Sequence, residues 1–160
     1  MLKIGYGIDT HAFMEGDNIV LNGIKIKHNK AIKAHSDGDV AIHSLCDAIL
    51  GASALGDIGD YFKDTDDKYK NIDSTILLKK SYQMAQQKNY KINNIDMTII
   101  TETPKISEHK NKMKENLSAI LKIDIDDINI KATTCEKLGF IGGKKGISVH
   151  CVVLMEDKKC

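Results

Sequence analysis

The chain has 160 residues, with 42% apolar, 28% charged and 5% aromatic side chains, a composition that excludes a disordered or fibrous protein and suits one globular domain spanning 1–160. A chain of this size buries roughly 70% of its unfolded surface and needs no disulfide staples. Twenty-three basic residues against twenty-two acidic ones leave a net charge of +1, which argues against nucleic acid or an anionic membrane as a bulk-charge partner. Every basic residue is lysine and none is arginine. Any phosphate must therefore be held by ammonium groups, backbone N–H groups or metal ions rather than by guanidinium forks.

No apolar stretch approaches the 18 or so residues that span a bilayer, and no signal-peptide pattern opens the sequence. Cys46, Cys135, Cys151 and Cys160 are far apart and form no C-x-x-C pair. Reduced thiols in a cytoplasmic protein are the expectation.

Leu2 to Asp9 alternates Ile4, Tyr6 and Ile8 with Gly5, Gly7 and Asp9, which predicts a strand. Asn18 to Lys27 carries two apolar runs around Asn22-Gly23, a hairpin signal. Val40 to Leu55 has apolar residues at helical spacing, preceded by Ser36-x-x-Asp39 as a variant capping box. Asp73 to Asn89 predicts a second helix capped by Asp73 or Ser74, and Ile92 to Thr101 a strand. The only proline, Pro104, opens an expected helix over Lys105 to Lys122. Ile128 to Thr134 and Gly146 to Met155 complete the strands, the last with Val149, Cys151, Val153 and Met155 on one face. This order predicts an α+β fold, a two-layer sandwich of a mixed sheet covered by helices.

Four constellations carry possible chemistry. Asp9-Thr10-His11 places a carboxylate and an imidazole on the same side of a strand, a pair that suits zinc or an ordinary surface hydrogen bond. His35-Ser36-Asp37-Gly38-Asp39 precedes a helix containing His43, which reads as a metal ligand or as a satisfied core histidine. Asp39 and Asp47 lie four residues either side of His43 and are candidates to orient its second nitrogen. Cys46 is a competing ligand or a buried thiol. Thr133-Thr134-Cys135-Glu136, before Leu138-Gly139-Phe140, offers hydroxyls and a carboxylate to phosphate and a hard cation, or is a polar turn. Asp57-Ile58-Gly59 and Phe62-Lys63-Asp64-Thr65-Asp66 are acidic loops that alone mean little.

In order, GYGIDTHAF at 5–13, AHSDGDVAIH at 34–43, LGDIGDYFKDTD at 55–66, TPK at 103–105 and KATTCEKLGF at 131–140 resemble the 2-C-methyl-D-erythritol 2,4-cyclodiphosphate synthase family. The resemblance runs from Ile4 to about Val153. It implies a zinc triad on Asp9, His11 and His43, with one zinc per chain, and Mg²⁺ or Mn²⁺ at Glu136. Catalytic contacts to phosphate fall on His35, Ser36 and Thr134. Substrate contacts fall on Asp9, Thr10 and His11, on Asp57, Ile58 and Gly59, and on Phe62, Lys63, Asp64, Thr65 and Asp66. Further contacts fall on Thr101, Glu102, Thr103, Pro104, Lys105, Ile106 and Ser107, and on Thr133, Cys135, Phe140 and Gly143.

Three positions depart from the family's usual pattern: Gly143 stands where arginine is common, Lys63 where proline is common, and Cys135 where threonine is common. The implied substrate is the cytidine diphosphate ester 4-diphosphocytidyl-2-C-methyl-D-erythritol 2-phosphate, cyclised with loss of CMP in isoprenoid precursor synthesis. The implied assembly is a homotrimer with interfacial sites. Thr134 and Glu136, two residues apart, are expected to share a face of an extended segment, with Cys135 pointing away. A zinc phosphohydrolase using the same triad, or a non-catalytic binder of isoprenoid diphosphates, would carry similar residues.

Overall fold

The computed structural model of the protein describes residues 1–63 and 72–157. Strands β1 (Leu2–Glu15), β4 (Lys30–Ile32), β5 (Tyr90–Ile100), β6 (Ile128–Thr133) and β7 (Gly146–Asp157) form one sheet in the order β4-β1-β7-β5-β6. β5 and β6 run parallel and the other neighbours antiparallel, so the sheet is mixed as expected. β2 (Asn18–Leu21) and β3 (Ile24–Lys27) form a separate hairpin. Asn22 and Gly23 both have positive φ, 52° and 74°, the paired left-handed geometry of a type I′ turn.

Helices α1 (Val40–Ala52), α3 (Ser74–Gln87) and α4 (Lys110–Leu121) cover one face of the sheet, with short turns α2 (Ile58–Tyr61) and α5 (Gly139–Gly142) at its edge. The expected helix over Lys105 to Lys122 is broken at its start. Residues Ile106–Glu108 form a 3₁₀ turn and α4 begins only at Lys110. Strand β1 outruns its expected end by six residues because Phe13, Met14 and Glu15 pair with β4. The α1 cap is Asp39 rather than Ser36: the Asp39 carboxylate accepts from the N–H of Ile42 at 3.0 Å. It also accepts from the N–H groups of Asn22 and Gly23, at 2.9 and 2.6 Å, so one buried side chain ties the hairpin turn to the helix. Burial pushes this carboxyl up to about 6, against the lowering effect of those N–H donors.

On β7, Val149, Cys151, Val153 and Met155 face the helices and are fully buried. Strand β1 reverses the usual pattern. Gly5 and Gly7 face the helices, while Ile4, Tyr6 and Ile8 point away from them with 73, 56 and 48% of their surface exposed. Val152 on β7 continues this bare apolar face at 40% exposure. The glycines have a steric cause. A Cβ at Gly5 would lie 1.7 Å from the Ala48 carbonyl oxygen, and one at Gly7 would lie 1.9 Å from that of Ser44. Helix α1 therefore rests directly on the backbone of β1, with Ser44, Ala48 and Ala52 as its small contact residues.

Those clashes involve helix backbone, which cannot rotate away. Gly7→Ala is expected to cost about 3 kcal/mol, the upper part of the range for overpacking a core. Urea unfolding followed by circular dichroism checks this, and Gly51→Ala, a helical position with open space around it, is the control expected to be neutral or slightly stabilising.

Candidate active site

The period of β1 puts Gly5, Gly7, Asp9 and His11 on its helix-facing side. Because α1 sits so close to the glycines, His43, on the next turn from Ala48 and beside Ser44, arrives next to Asp9. One carboxylate oxygen of Asp9 lies 3.2 Å from His43 Nδ1 and the other 3.3 Å from His11 Nε2. The three ligand atoms lie within 4.8 Å of one another and all three residues are half-buried. Two imidazole nitrogens and a carboxylate match the donor set of zinc.

The remaining ring nitrogens are anchored. His11 Nδ1 lies 2.8 Å from the carbonyl oxygen of Lys33. A carbonyl only accepts, so Nδ1 carries a proton, and Nε2, which faces Asp9, is the nitrogen that can donate to that carboxylate or, deprotonated, offer its lone pair to a cation. His43 Nε2 lies 2.8 Å from Ser74 Oγ and 3.4 Å from Ser36 Oγ. The two carboxylates proposed to orient His43 are engaged elsewhere. Asp39 caps α1, and Asp47 accepts from the N–H of Ile58 at 2.8 Å. Cys46 is fully buried, its thiol pushed up to about 12 by burial, and so is an inert core residue rather than a ligand.

A cavity of about 420 Å³ opens over this cluster, lined by Asp9, His11, His35, Ser36, His43, Ile58, Gly59, Phe62 and Lys63 among others. Asp57 stands at its rim as the cap of α2, accepting from the N–H groups of Gly59 and Asp60. Thr10 points to the opposite side of the sheet, where its hydroxyl meets that of Ser148 at 2.7 Å. Only its backbone N–H, bound to Asp9 at 2.9 Å, serves the cluster. Asp64, Thr65 and Asp66 lie outside the described residues.

The other expected contacts gather elsewhere. Thr101 to Ser107 follow β5, with the Thr103–Pro104 peptide cis, and Thr133 to Phe140 follow β6. Thr101 is buried and donates to the Thr103 carbonyl at 2.6 Å, while the Thr103 hydroxyl meets His28 Nε2 at 3.0 Å. Ile106 is buried, and Lys105 and Ser107 are exposed. The loop after β6 is not extended. Glu136 and Lys137 adopt left-handed backbone, at φ 50° and 66°, and the turn brings the Thr134 hydroxyl within 2.8 Å of the Glu136 carboxylate that accepts from it. Thr134 and Glu136 therefore meet as expected, but through a turn. Glu102 reaches across, accepting from the N–H of Cys135 at 3.0 Å and more weakly from that of Lys137 at 3.4 Å. This clamp joins the two loops, and a side chain 33 residues away in sequence leaves no local signal of it. Phe140 is exposed against Gly146, and Gly143 closes α5 in solvent.

Asp9, Val149, Ile99 and Ala132 form one row across β1, β7, β5 and β6. The Asp9 cluster and the Thr134 loop thus sit at the same end of the sheet but three strand spacings apart, about 14 Å. Neither loop lines the cavity. Within a single chain the Asp9 cluster and the Thr134 loop stay apart.

Burial would raise the Asp9 carboxyl, but hydrogen bonds and charge from His11 and His43 outweigh it and leave Asp9 at about 2. Burial would lower His43, but the Asp9 hydrogen bond and charge, with smaller contributions from Asp39 and Asp37, leave it raised. In metal-free protein the depressed Asp9 contributes stability above about pH 4, lost as the pH falls through about 2. The raised His43 contributes below pH 6.5 and loses that contribution as the pH rises through its folded value. The Asp9 shift gathers both histidines, His11 first, and already contains the Asp9–His43 contact, so the two are not added; together they are worth about 2 kcal/mol. Chelator-treated protein should gain this increment between about pH 4 and 6.5, and Asp9→Asn should flatten that part of the stability profile in urea titrations.

A model of the YgbB family matches residues 2–156. The chain is 51% identical to the 2-C-methyl-D-erythritol 2,4-cyclodiphosphate synthase of Brachyspira hyodysenteriae, over 99% of this chain and 100% of that protein. It is 49% identical to that of Thioalkalivibrio sulfidiphilus, over 98% of each. Among solved structures it superposes on the IspF–CDP complex from Plasmodium falciparum with a TM-score of 0.86 and 38% identity, covering 98% of this chain and 97% of that one. It superposes on the bifunctional IspDF from Campylobacter jejuni with a TM-score of 0.94 and 44% identity, covering 97% of this chain and 42% of that longer one. With the family model, the relatives and the fold in agreement along the chain, it belongs to the YgbB family, that of the 2-C-methyl-D-erythritol 2,4-cyclodiphosphate synthases whose motifs its sequence resembles.

Proposed function

We propose that this chain is the cyclising enzyme of isoprenoid precursor synthesis, a lyase that converts 4-diphosphocytidyl-2-C-methyl-D-erythritol 2-phosphate to 2-C-methyl-D-erythritol 2,4-cyclodiphosphate and CMP. An oxygen of the 2-phosphate bonds to the β-phosphorus as the bond from that phosphorus to the bridging oxygen breaks, and CMP departs with that oxygen. The observation that carries this reading is the Asp9–His11–His43 cluster opening into a cavity rimmed by the family's phosphate-side residues.

A phosphate nucleophile is already ionised at neutral pH, so no strong general base is required. The protein has to position two phosphates of one molecule and offset their charge. His35 and Ser36, on the cavity wall beside His43, suit donation to the reacting phosphates; the Thr134 hydroxyl, which donates to Glu136 here, would be a further donor only once a cation takes that carboxylate. The loops at Thr101 to Ser107 and Thr133 to Phe140 suit the cytidine and its diphosphate. Asp9, His11 and His43 would hold zinc, and Glu136 would hold Mg²⁺ or Mn²⁺. Bound there, divalent cations supply Lewis-acid polarisation and charge neutralisation. The fit rests on the polarity of the donors: both histidines have their second nitrogen occupied, and both present the other to the shared carboxylate.

The working form in this reading is a cytoplasmic homotrimer. Ile4, Tyr6, Ile8 and Val152 present an apolar sheet face with no helix over it among the described residues, and contiguous exposed patches of this kind mark interaction surfaces. Packing copies of this face around a common axis would also let the Thr134 loop of one copy approach the Asp9 cluster of the next.

Incubation of purified chain with the cytidine substrate, zinc and Mg²⁺ should release CMP and the cyclic diphosphate in equal amounts. An open-chain phosphate product would identify hydrolysis instead, and no CMP release would identify a binder. Light scattering should report about three times the 17.7 kDa chain mass. Ile8→Asp should give a folded monomer that binds zinc yet loses at least 100-fold in CMP release. A fully active monomer would overturn the shared-site assembly.

A further inference from the structure

His43 is the only helix-borne member of the metal cluster, and its ring can turn. What fixes it is a chain of hydrogen bonds leading away from the cavity. His43 Nε2 lies 2.8 Å from Ser74 Oγ, and Ser74 Oγ in turn makes a short contact with Asp37 Oδ1. Asp37 is itself braced. Its second oxygen accepts from the N–H of Ser74 at 2.9 Å, and its first from the N–H of Asp39 at 3.1 Å. The carboxylate is thus held at once by the loop entering α1 and the first turn of α3. Ser74 is fully buried.

The polarity of this chain is determined. An ionised carboxylate only accepts, so the Ser74 hydroxyl must donate to Asp37. Its single proton is then spent, and towards His43 it can only accept. Nε2 therefore carries a proton, which leaves Nδ1, the atom that faces Asp9, as the one ring nitrogen that can give up its proton to a cation. We propose that Ser74 and Asp37 are positioning residues for the metal centre: they hold the His43 ring in the one tautomer and orientation in which Nδ1 is a ligand. Neither side chain touches the metal position. Ser36, 3.4 Å from the same nitrogen, is the weaker partner and stays available on the cavity wall.

This rests on the reading of Asp9, His11 and His43 as a metal site, and extends it to residues from two further segments. Partners of this kind change metal affinity by about 10- to 100-fold. The test measures zinc affinity of the full chain by competition with a chromophoric chelator, beside circular dichroism and CMP release. Ser74→Ala should bind zinc about 10- to 100-fold more weakly. Ser74→Thr, which keeps the hydroxyl, should stay within about threefold of wild type. Asp37→Asn, which retains an accepting oxygen without the charge, should fall between them. In the zinc-loaded wild type, nitrogen-15 spectra of the ring should show the proton on Nε2 of His43. Wild-type zinc affinity in folded Ser74→Ala, or a ring proton on Nδ1, overturns the relay while leaving the metal site standing. If Ser74→Ala does not fold, equal affinity of Asp37→Asn and wild type overturns it. A wild-type chain that takes up no zinc overturns the metal site and the relay together, and one that binds zinc but releases no CMP overturns only the proposed reaction.

Discussion

The structure depends on the direct contact between helix α1 and strand β1. Gly5 and Gly7 leave no side chain between them, and carbonyl oxygens of Ala48 and Ser44 occupy the space where Cβ atoms would be. The helix backbone lies directly on the strand, and the same strand face that carries the glycines carries Asp9 and His11 one and two alternations later. The metal cluster is therefore the continuation of a packing contact. His43 reaches Asp9 because Ala48 and Ser44 have been allowed to reach Gly5 and Gly7.

That contact also explains why β1 wears its apolar side chains outward. A strand whose inner face is glycine contributes little bulk there to the core, which is supplied by the other strands and the helices. Ile4, Tyr6 and Ile8 are left on the other face. Covering the exposed part of such side chains would be worth about 1 kcal/mol or more each, which is the driving force the proposed assembly would use. The inner face carries the Asp9 cluster, and in the proposed assembly the outer face is the surface that would meet a second copy.

Much of the fold was legible because its signals are periodic and local. The strand alternation of β7, the Asn-Gly turn and the Asp73 cap of α3 all appear as read. The outward face of β1 was not legible, because alternation gives the period and not which side is inner. Asp9, His11 and His43 were visible as candidates, each with an ordinary alternative, and only the resemblance to the family joined them as a triad. Its supports were not visible, since Ser74 and Asp37 lie 37 residues apart, as Glu102 and Cys135 lie 33 apart. Asp39 and Asp47 looked suitable because they flank His43 in sequence. Residues four apart do share a helix face, but both carboxylates are taken by backbone N–H groups, Asp39 by those of Asn22, Gly23 and Ile42 and Asp47 by that of Ile58.

The absence of arginine gives these supports their weight. A phosphate and a diphosphate held together carry several negative charges, and a guanidinium would offset some of them while fixing geometry with two parallel hydrogen bonds. Lysine offers charge without that planar fork, and among the described residues Lys63 is the one lysine on the cavity wall. Gly143 supplies no charge where the family commonly has arginine, and the backbone carbonyl of neighbouring Lys144 accepts from the Lys30 ammonium. Geometry must then come from parts that do not move. These are ring nitrogens whose tautomers are fixed by Lys33 and Ser74, and a loop whose left-handed turn at Glu136 and Lys137 is held by Glu102. A site without rigid cationic forks has to place its rigidity one layer further out.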